Sequence, residues 1–419
     1  MKSKVKDINS FTKEISIQVD WKDLSTSYDL EFKKANNNFN MPGFRKGKVP
    51  KSIVEKQIGP MVDARFAENS INAYYKEALE KNKLVPINQA NISHVEFKKG
   101  SDLKFIAQFE ILPQFTLPNY KKKIKVNVVK YIVSKFDIDN SLNNLRERYA
   151  TIENVESGAI TDNFIKCDIS TLDNNKSIKK DQQVLRDQYI KLGSGLFKGK
   201  IEKKFIGCQV GDQIDAKLKL KEKETHYRFD IKKVEKHTLP DLTDEFLKTL
   251  SSEIKSLKDL KKQLKGQIQG SYDQEYHKSI NNQIVEYFVK KTKLDVPTSM
   301  IENYLINLMQ DYKSKGQTID EKKFRQDYKL ISENTVKWFL VKSNLIKDNN
   351  IEANDKDIEG HINQLIKDNP NQSSELEKYY KDINNKSQIQ EEILNKKLFD
   401  ELKNYFIIKT KEEERNYNK

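Results

Sequence analysis

The feature that most constrains the fold is a long C-terminal stretch in which apolar residues recur at helical spacing. From Asp241 to Lys419 they follow the i, i+3, i+4, i+7 pattern of amphipathic helices. The breaks in this pattern are Pro297, Gly316, Gly360 and Pro370. Glycine (14) and proline (9) are scarce in the chain of 419 residues, which favours long helices over a turn-rich β protein. We therefore predict an all-α region over residues 237–419.

The chain as a whole is strongly polar for its length. Hydrophobic residues make up 36%, charged residues 33%, and the mean hydropathy is −0.80. A chain of this length is expected to form about two to four domains. Together these values predict an elongated α+β protein with several domains.

Residues 1–113 combine the patterns of strands and helices. Ile15, Ile17 and Val19 alternate as in a half-buried strand, and Leu24, Tyr28 and Phe32 follow at helical spacing. Two helices are predicted after Pro50, the first ending at Gly59 and the second carrying Phe66, Ile71, Tyr74 and Leu79. The sequence ISHVEFKKGSDLKFIAQFEIL predicts a β-hairpin with its turn at Gly100. This segment is predicted to be one α+β domain.

The middle of the chain changes character twice. Residues 114–150 begin with two prolines, become extended and end in a helical pattern, as in a linker. Residues 151–236 contain four short alternating or apolar segments, FIKCDISTL, YIKLGSG, DQIDAKLKL and YRFDIKKVE. They predict a small β-rich domain.

One apolar stripe in the C-terminal region has two interpretations. It consists of Met300, Ile301, Tyr304, Leu305, Leu308, Met309 and Tyr312. Such a stripe is typical of core packing between helices. It also fits an open apolar surface for other polypeptides, because methionine adapts to varied contacts. The sequence leaves both open.

Charge and cysteine content suggest a basic protein in a reducing compartment. The formal net charge is +14, which attracts polyanions or reflects compositional drift toward lysine. Cys167 and Cys208 imply no disulfide framework. Neither a signal peptide nor a membrane-spanning run is visible. A cytoplasmic location without membrane association is the expectation.

Catalytic and metal-binding patterns are weak. The segment from Gly193 to Lys200 resembles a phosphate-binding loop, but its spacing is wrong and Ile201 stands where a hydroxyl is required. The five histidines form no cluster with metal-ligand spacing. No nucleophile elbow is present. We predict no metal site and no cofactor.

The segment MPGFRKGKVP, residues 41–50, has an unusual chemistry. It places Arg45, Lys46 and Lys48 around Phe44, with two glycines that allow uncommon backbone angles and two prolines that stiffen the ends. Cations contact phosphates, and an aromatic ring fills an apolar pocket or stacks on a base. The segment is therefore either a docking tip for a surface of protein and RNA or a solvated turn.

This segment resembles the signature loop of trigger factor, the bacterial ribosome-associated chaperone. The pattern G-F-R-x-G-K-x-P matches from Gly43 to Pro50. LPDLTDEFLK resembles the family's entry into its C-terminal domain, and LDVPTSMIENYL resembles a helix start in that domain. The order and spacing of the three agree, and the resemblance covers essentially the whole chain.

The resemblance implies an architecture and a mechanism. Residues 1–113 correspond to a ribosome-binding domain, 114–150 to a linker and part of the chaperone body, 151–236 to an FKBP-like domain, and 237–419 to a helical body with arms. The ribosome-binding residues would be Gly43, Phe44, Arg45, Lys46, Gly47 and Lys48. They would dock on an exit-site protein and rRNA of the large subunit. The body would shield nascent polypeptides without ATP, and the free protein would form a homodimer in some states.

The FKBP-like domain departs from the family pattern for prolyl isomerisation. Ile201 stands where the family has an aromatic residue, and the flap before the last strand is shortened. The remaining pocket wall would be Ile201, Phe205 and Tyr227. We predict a retained fold with weak or absent isomerase activity, unless the pocket aligns elsewhere. The sequence thus supports a chaperone first, with an isomerase or a general RNA-binding protein as alternatives.

Overall fold

The computed structural model describes residues 1–44, 49–173, 178, 184–220, 223–250, 254–368, 375, 379–380 and 383–417. Its contacts divide the chain into two compact units. The first consists of Met1–Asn127 and Ser279–Lys409, and the second of Val128–Lys278 and Thr410–Lys419. The division into four domains expected from the sequence stays a prediction. Among the described residues, no helix combines the length and apolar character needed to cross a membrane.

The first sheet has four antiparallel strands in the order β1-β2-β4-β3. They are β1 (Lys2–Asp7), β2 (Thr12–Val19), β3 (Asn91–Glu96) and β4 (Leu103–Glu110). Ile15, Ile17 and Val19 are buried on one face, as alternation predicts. The turn between β3 and β4 contains Gly100 at φ +84°, so the hairpin prediction is also confirmed.

Strand β1 has no clear sequence signal because nearly all of it is polar. Lys2, Lys4 and Lys6 share one face, and Val5 is half-buried. The strand pairs with β2 along its whole length, so backbone hydrogen bonds rather than apolar alternation hold it at the sheet edge. Lysine on an edge strand also discourages pairing with other chains.

Two long helices pack on this sheet, and one corrects the sequence prediction. They are α1 (Trp21–Asn38) and α2 (Lys51–Lys81). The predicted end at Gly59 is wrong, because α2 continues through Gly59 and Pro60 with helical backbone angles. Pro60 lacks an N–H and removes one intrahelical hydrogen bond. Burial of the side chains on either side outweighs that loss; these are Val54, Ile58, Val62 and Phe66.

The β-rich middle region is confirmed as a five-stranded antiparallel sheet. After β5 (Ile124–Ile132) and α3 (Lys135–Arg148) come β6 (Thr151–Asn154), β7 (Phe164–Thr171), β8 (Leu185–Lys191), β9 (Gln213–Leu220) and β10 (Lys223–Thr238). The order is β6-β10-β7-β8, and β9 also pairs with β10. Its core includes Ile165, Phe229 and Ile231, with a short 3₁₀ helix at Glu202–Lys204.

The C-terminal region is largely helical, as predicted. Its described helices are α4 (Asp244–Leu250), α5 (Leu257–Lys291), α6 (Thr298–Ser314), α7 (Glu321–Asp348), α8 (Asp355–Asp368) and α9 (Ile383–Lys403). The prediction of a wholly helical region misses one element, strand β11 (Phe406–Glu414), which pairs with β5. The segment FIIKTKEEE is too short to define a period, and its partner strand lies far away in sequence.

The apolar stripe on α6 is a packing surface at its centre. Leu305 and Met309 are 2% and 4% exposed and form a cluster with Phe324 of α7. The hydroxyls of Tyr312 and Tyr328 lie 2.9 Å apart across the two helices. Ile301 and Leu308 pack against the cluster, while Met300 and Tyr304 are half-buried. Of the two interpretations left open by the sequence, core packing fits Leu305 and Met309.

Candidate functional site

The segment between α1 and α2 is held at both of its ends. Phe39 follows the last turn of α1, and its N–H donates to the carbonyl of Asn36 at 3.1 Å. At the other end the carbonyl of Pro50 accepts from the N–H groups of Ile53 and Val54 at 2.9 and 3.1 Å. Pro50 therefore sits directly before the first turn of α2, where its fixed φ is favourable.

Apolar side chains fix these two ends to the core of the first sheet. Val49 is buried, and Phe39 and Met41 pack against the same cluster. Ordering a loop costs backbone entropy for each residue that is fixed. Because both ends are already fixed, part of that cost is met before any partner is bound.

The tip between these anchors presents Phe44 to solvent. The N–H of Phe44 donates to the carbonyl of Met41 at 3.1 Å, which closes a four-residue turn. Pro42 and Gly43 are its central residues, and Gly43 has φ +88°. This is the residue order of a type II turn, which requires a positive φ at its third position. The Phe44 side chain is 40% exposed, so its ring is accessible to a partner.

Four of the predicted loop residues, Arg45, Lys46, Gly47 and Lys48, lie outside the described residues. The structure thus places Gly43 and Phe44, and the four cannot be compared with the prediction. Lys33 and Lys34 are exposed near the end of α1, which precedes the loop. Both lysines add positive charge close to the start of the loop in the sequence.

The surface beside the loop contains residues that the sequence analysis did not single out. A groove of about 500 Å³ is lined by both helices. Its lining includes Lys34, Phe39, Met61 and Arg65. Met61 is 60% exposed, and Arg65 forms a 3.5 Å ion pair with Glu31 of α1. Recognising that α2 is continuous through Gly59 would have placed Met61 and Arg65 together, one helical turn apart.

The three residues of the predicted isomerase pocket meet in the core of the five-stranded sheet. Phe205 is fully buried, and Ile201 and Tyr227 pack against the same cluster. The Phe205 and Phe229 ring centroids are 5.1 Å apart and nearly perpendicular, and Phe197 contacts both rings. Edge-to-face rings of this kind stabilise a core. Phe197 and Phe229 are further members that the sequence analysis did not identify.

The burial of Phe205 limits what this cluster can do. A pocket for a prolyl peptide needs aromatic surface that the substrate can touch, and Phe205 offers none. The hairpin that would carry a flap is short, because Lys223 of β10 pairs with Leu220 of β9. Only residues 221 and 222 lie between the strands.

Two thiols in the same domain are inert rather than functional. Cys167 and Cys208 are free and buried. Burial raises the pKa of the Cys167 thiol to about 12 and that of Cys208 to about 11. The nucleophilic thiolate is therefore scarce at neutral pH. Across the part of the chain that the structure describes, no group of three or more His, Cys, Asp or Glu side chains is arranged to hold a metal ion.

Comparison with known proteins places the chain in a family. Residues 1–145 match the family model "Bacterial trigger factor protein (TF)", and residues 256–404 match the model of its C-terminus. Along the sequence, one match precedes the strands of the five-stranded sheet and the other follows them. Together the two matches span well over half of the chain.

Curated relatives agree over nearly the full length. Trigger factor from Alkaliphilus metalliredigens is 28% identical over 86% of this chain and 88% of its own. Trigger factor from Clostridium tetani is 28% identical over 90% and 92%. A solved chain described under "Promiscuous Substrate Recognition in Folding and Assembly Activities of the Trigger Factor Chaperone" aligns at 19% identity and a TM-score of 0.48, over 95% of this chain and 98% of that one. On the family models and these relatives, the chain belongs to the trigger factor family of ribosome-associated chaperones.

Proposed function

We propose that the loop at residues 41–50 docks this chaperone on the large ribosomal subunit, beside the exit for nascent chains. The observation that carries the proposal is the exposed Phe44 on a loop whose two ends are anchored in the core. Phe44, Arg45 and Lys46 would make the central contacts. Gly43, Gly47 and Lys48 would shape the tip and add to its charge.

The chemistry of this region fits a surface made of protein and RNA. Lysine and arginine contact phosphates, and an exposed aromatic ring fills an apolar pocket in a protein. Lys34 extends the positive surface beside the loop, and Met61 extends the apolar surface. We therefore propose an exit-site ribosomal protein and adjacent rRNA as joint partners.

We further propose that the chaperone shields nascent polypeptides without using ATP. Support comes from large apolar side chains that stay exposed on α6 and α7, namely Ile306, Leu330, Ile331 and Phe339. Separate exposed residues give several weak contacts, so that a client is held and then released. The setting would be the cytoplasm, and the free protein would form homodimers.

Ribosome co-sedimentation at near-physiological salt tests the docking proposal. The variant is Phe44→Ala with Arg45→Ala and Lys46→Ala, which removes one exposed apolar side chain and two cations. A matched control is Leu112→Ala with Lys122→Ala and Lys123→Ala, because these three residues are exposed and lie away from the loop in sequence. We expect the loop variant to lose binding and the control to retain it.

Two other outcomes have distinct meanings. Equal loss in both triple variants would show that the net charge of +14, rather than the loop, drives association. That result would favour the general RNA-binding alternative and overturn the docking proposal. Full binding by the loop variant would overturn it as well, whatever the control shows.

We also propose that prolyl isomerase activity is weak or absent. The three predicted pocket residues do come together, but Phe205 has no exposed surface and the β9–β10 connection is short. A protease-coupled assay with a Xaa-Pro peptide measures the activity directly. Robust catalysis that is lost in Tyr227→Ala would refute this proposal.

A further inference from the structure

Three stretches of chain connect the two compact units. The boundaries between the units fall at Asn127/Val128, Lys278/Ser279 and Lys409/Thr410. The first lies in β5, the second in α5 and the third in β11. Each connection is thus a continuous strand or helix rather than a free linker.

Just beyond these boundaries, within the second unit, the C-terminal segment makes a dense set of contacts. The Arg415 guanidinium lies 4.9 Å from the ring centroid of Tyr131 in β5 and 5.3 Å from that of Tyr272 in α5. Its Nη2 donates to both carboxylate oxygens of Glu275 at 2.8 Å. A cation between two aromatic rings and paired with a carboxylate combines two favourable interactions.

Tyr417 adds a second link, to the start of α3. Its hydroxyl donates to the Asp137 carboxylate at 2.7 Å and lies 2.9 Å from the Tyr272 hydroxyl. Asp137 is itself fixed, because it accepts from the N–H of Ser134 at 2.8 Å in a capping box. One tyrosine therefore ties the chain end to both α3 and α5.

Two further contacts join β5, α5 and β11. The hydroxyls of Tyr276 in α5 and Thr410 in β11 lie 2.6 Å apart. Beside them, Lys130 of β5 forms a 3.4 Å ion pair with Asp273 of α5. All three connecting elements are thus joined to one another within a short distance of the boundaries.

We infer that residues 410–417, together with the side chains that they contact, form a clamp that holds β5, α3 and α5 together within the second unit. The clamp consists of Tyr131, Asp137, Tyr272, Glu275, Arg415 and Tyr417. None of these side chains belongs to the core of the four-stranded or the five-stranded sheet. Opening of the clamp is then a local event, with a free energy below that of global unfolding.

Hydrogen exchange of the full chain tests the clamp. The variant is Arg415→Ala with Tyr417→Phe, and the matched control is Lys411→Gln, which removes only an exposed pair with Glu413 in the same segment. We expect exchange about 10- to 100-fold faster in residues 124–148 and 265–278 of the variant, since contacts to charged groups are lost. The sheet core at Phe164–Thr171 and helices α6 and α7 should exchange as in the wild type.

Two results would overturn the inference. Unchanged exchange in residues 124–148 and 265–278 of the variant would mean that the C-terminal segment does not restrain these elements. A uniform rise in exchange across both units would mean that the contacts support global folding instead. Tyr417→Phe alone, which keeps the ring, provides the same test with little risk of misfolding.

Discussion

The backbone N–H of Phe44 lies 3.1 Å from the carbonyl of Met41, and this single hydrogen bond closes the turn that exposes the Phe44 ring. The turn depends on Gly43, whose φ of +88° is costly for any residue with a Cβ atom. A Cβ at this position would meet no atom within 4 Å, so the requirement for glycine comes from the backbone alone. Substitution there changes the loop without creating a clash.

We expect Gly43→Ala to weaken ribosome binding by about 5- to 30-fold, because the left-handed backbone costs an L-residue roughly 1–2 kcal/mol. Titration in the co-sedimentation assay measures the change. Gly100→Ala is the matched control, since Gly100 has φ +84° and equally open space in the β3–β4 turn. It should lower stability to a similar degree and leave ribosome affinity unchanged. Equal affinities for Gly43→Ala and the wild type would contradict the role of the turn.

Gly59 lies inside α2 with helical angles and directly precedes Pro60. A Cβ at Gly59 would meet no atom within 4 Å apart from its chain neighbours, but the Cδ of a proline clashes with the Cβ of a preceding residue in the helical conformation. Gly59→Ala should therefore not give the stabilisation of about 0.5–1 kcal/mol that replacing glycine by alanine gives elsewhere in a helix. Thermal unfolding monitored by circular dichroism at 222 nm (a helix signal) gives the result. A higher unfolding temperature in Gly59→Ala than in the wild type would contradict this expectation.

The same helix illustrates where sequence reasoning reaches its limit. Periodicity correctly predicted α1, β2 and the β3–β4 hairpin, since their buried residues alternate or recur regularly. It failed at Gly59 and Pro60 because local propensity there is weaker than packing along the rest of α2. It also missed β1 and β11, because their own residues show no clear alternation. Both strands are held by backbone pairing with their neighbours, β2 and β5.

For the candidate sites, too, the sequence indicates some residues and misses others. Phe44 was singled out because it stands among cations and glycines on a loop that resembles the family's signature, and its role in binding stays a prediction. The sequence does not distinguish whether Phe205 lines a pocket or fills a core, because both roles require an apolar residue at this position. Only the packing of Phe197 and Phe229 around it decides for the core. The contact between Tyr417 and Asp137 has no local signal at all.

Two adjacent residues of α6 separate core packing from client contact. Leu305 is 2% exposed, whereas Ile306 is 39% exposed. We expect Leu305→Ala to destabilise the protein by about 2–5 kcal/mol, because it leaves a cavity beside Met309 and Phe324. Ile306→Ala should cost less than about 1 kcal/mol. Chemical denaturation gives the stability difference.

For client binding we expect the opposite order, with the larger effect from Ile306→Ala. Suppression of aggregation by an unfolded test protein should weaken in Ile306→Ala at a temperature where the variant is fully folded. Combining it with Phe339→Ala should increase the loss, since several weak contacts hold a client. If both variants protect as well as the wild type, clients bind elsewhere on the protein.

The Asp137 carboxylate should make the C-terminal clamp sensitive to acid. Burial alone would raise its pKa, but hydrogen bonds from Tyr417, Ser134 and Tyr272 outweigh burial and hold the pKa below its usual range. A carboxyl whose pKa is lower in the folded state stabilises that state above its unfolded pKa of about 3.9. This contribution is lost as the pH falls from that value through the lower folded pKa. Protection of residues 124–148 should therefore decrease below about pH 4.

Other carboxylates lie at the clamp, so the measurement needs a difference between variants. Glu275 faces Arg415 from α5, and Asp273 faces Lys130 of β5. Asp137→Asn keeps an oxygen that accepts from Tyr417 but removes the titrating group, so its protection should change less with pH than that of the wild type. Hydrogen exchange of both proteins from pH 3 to pH 6, corrected for intrinsic rates, gives this comparison. Parallel profiles would contradict the role of Asp137.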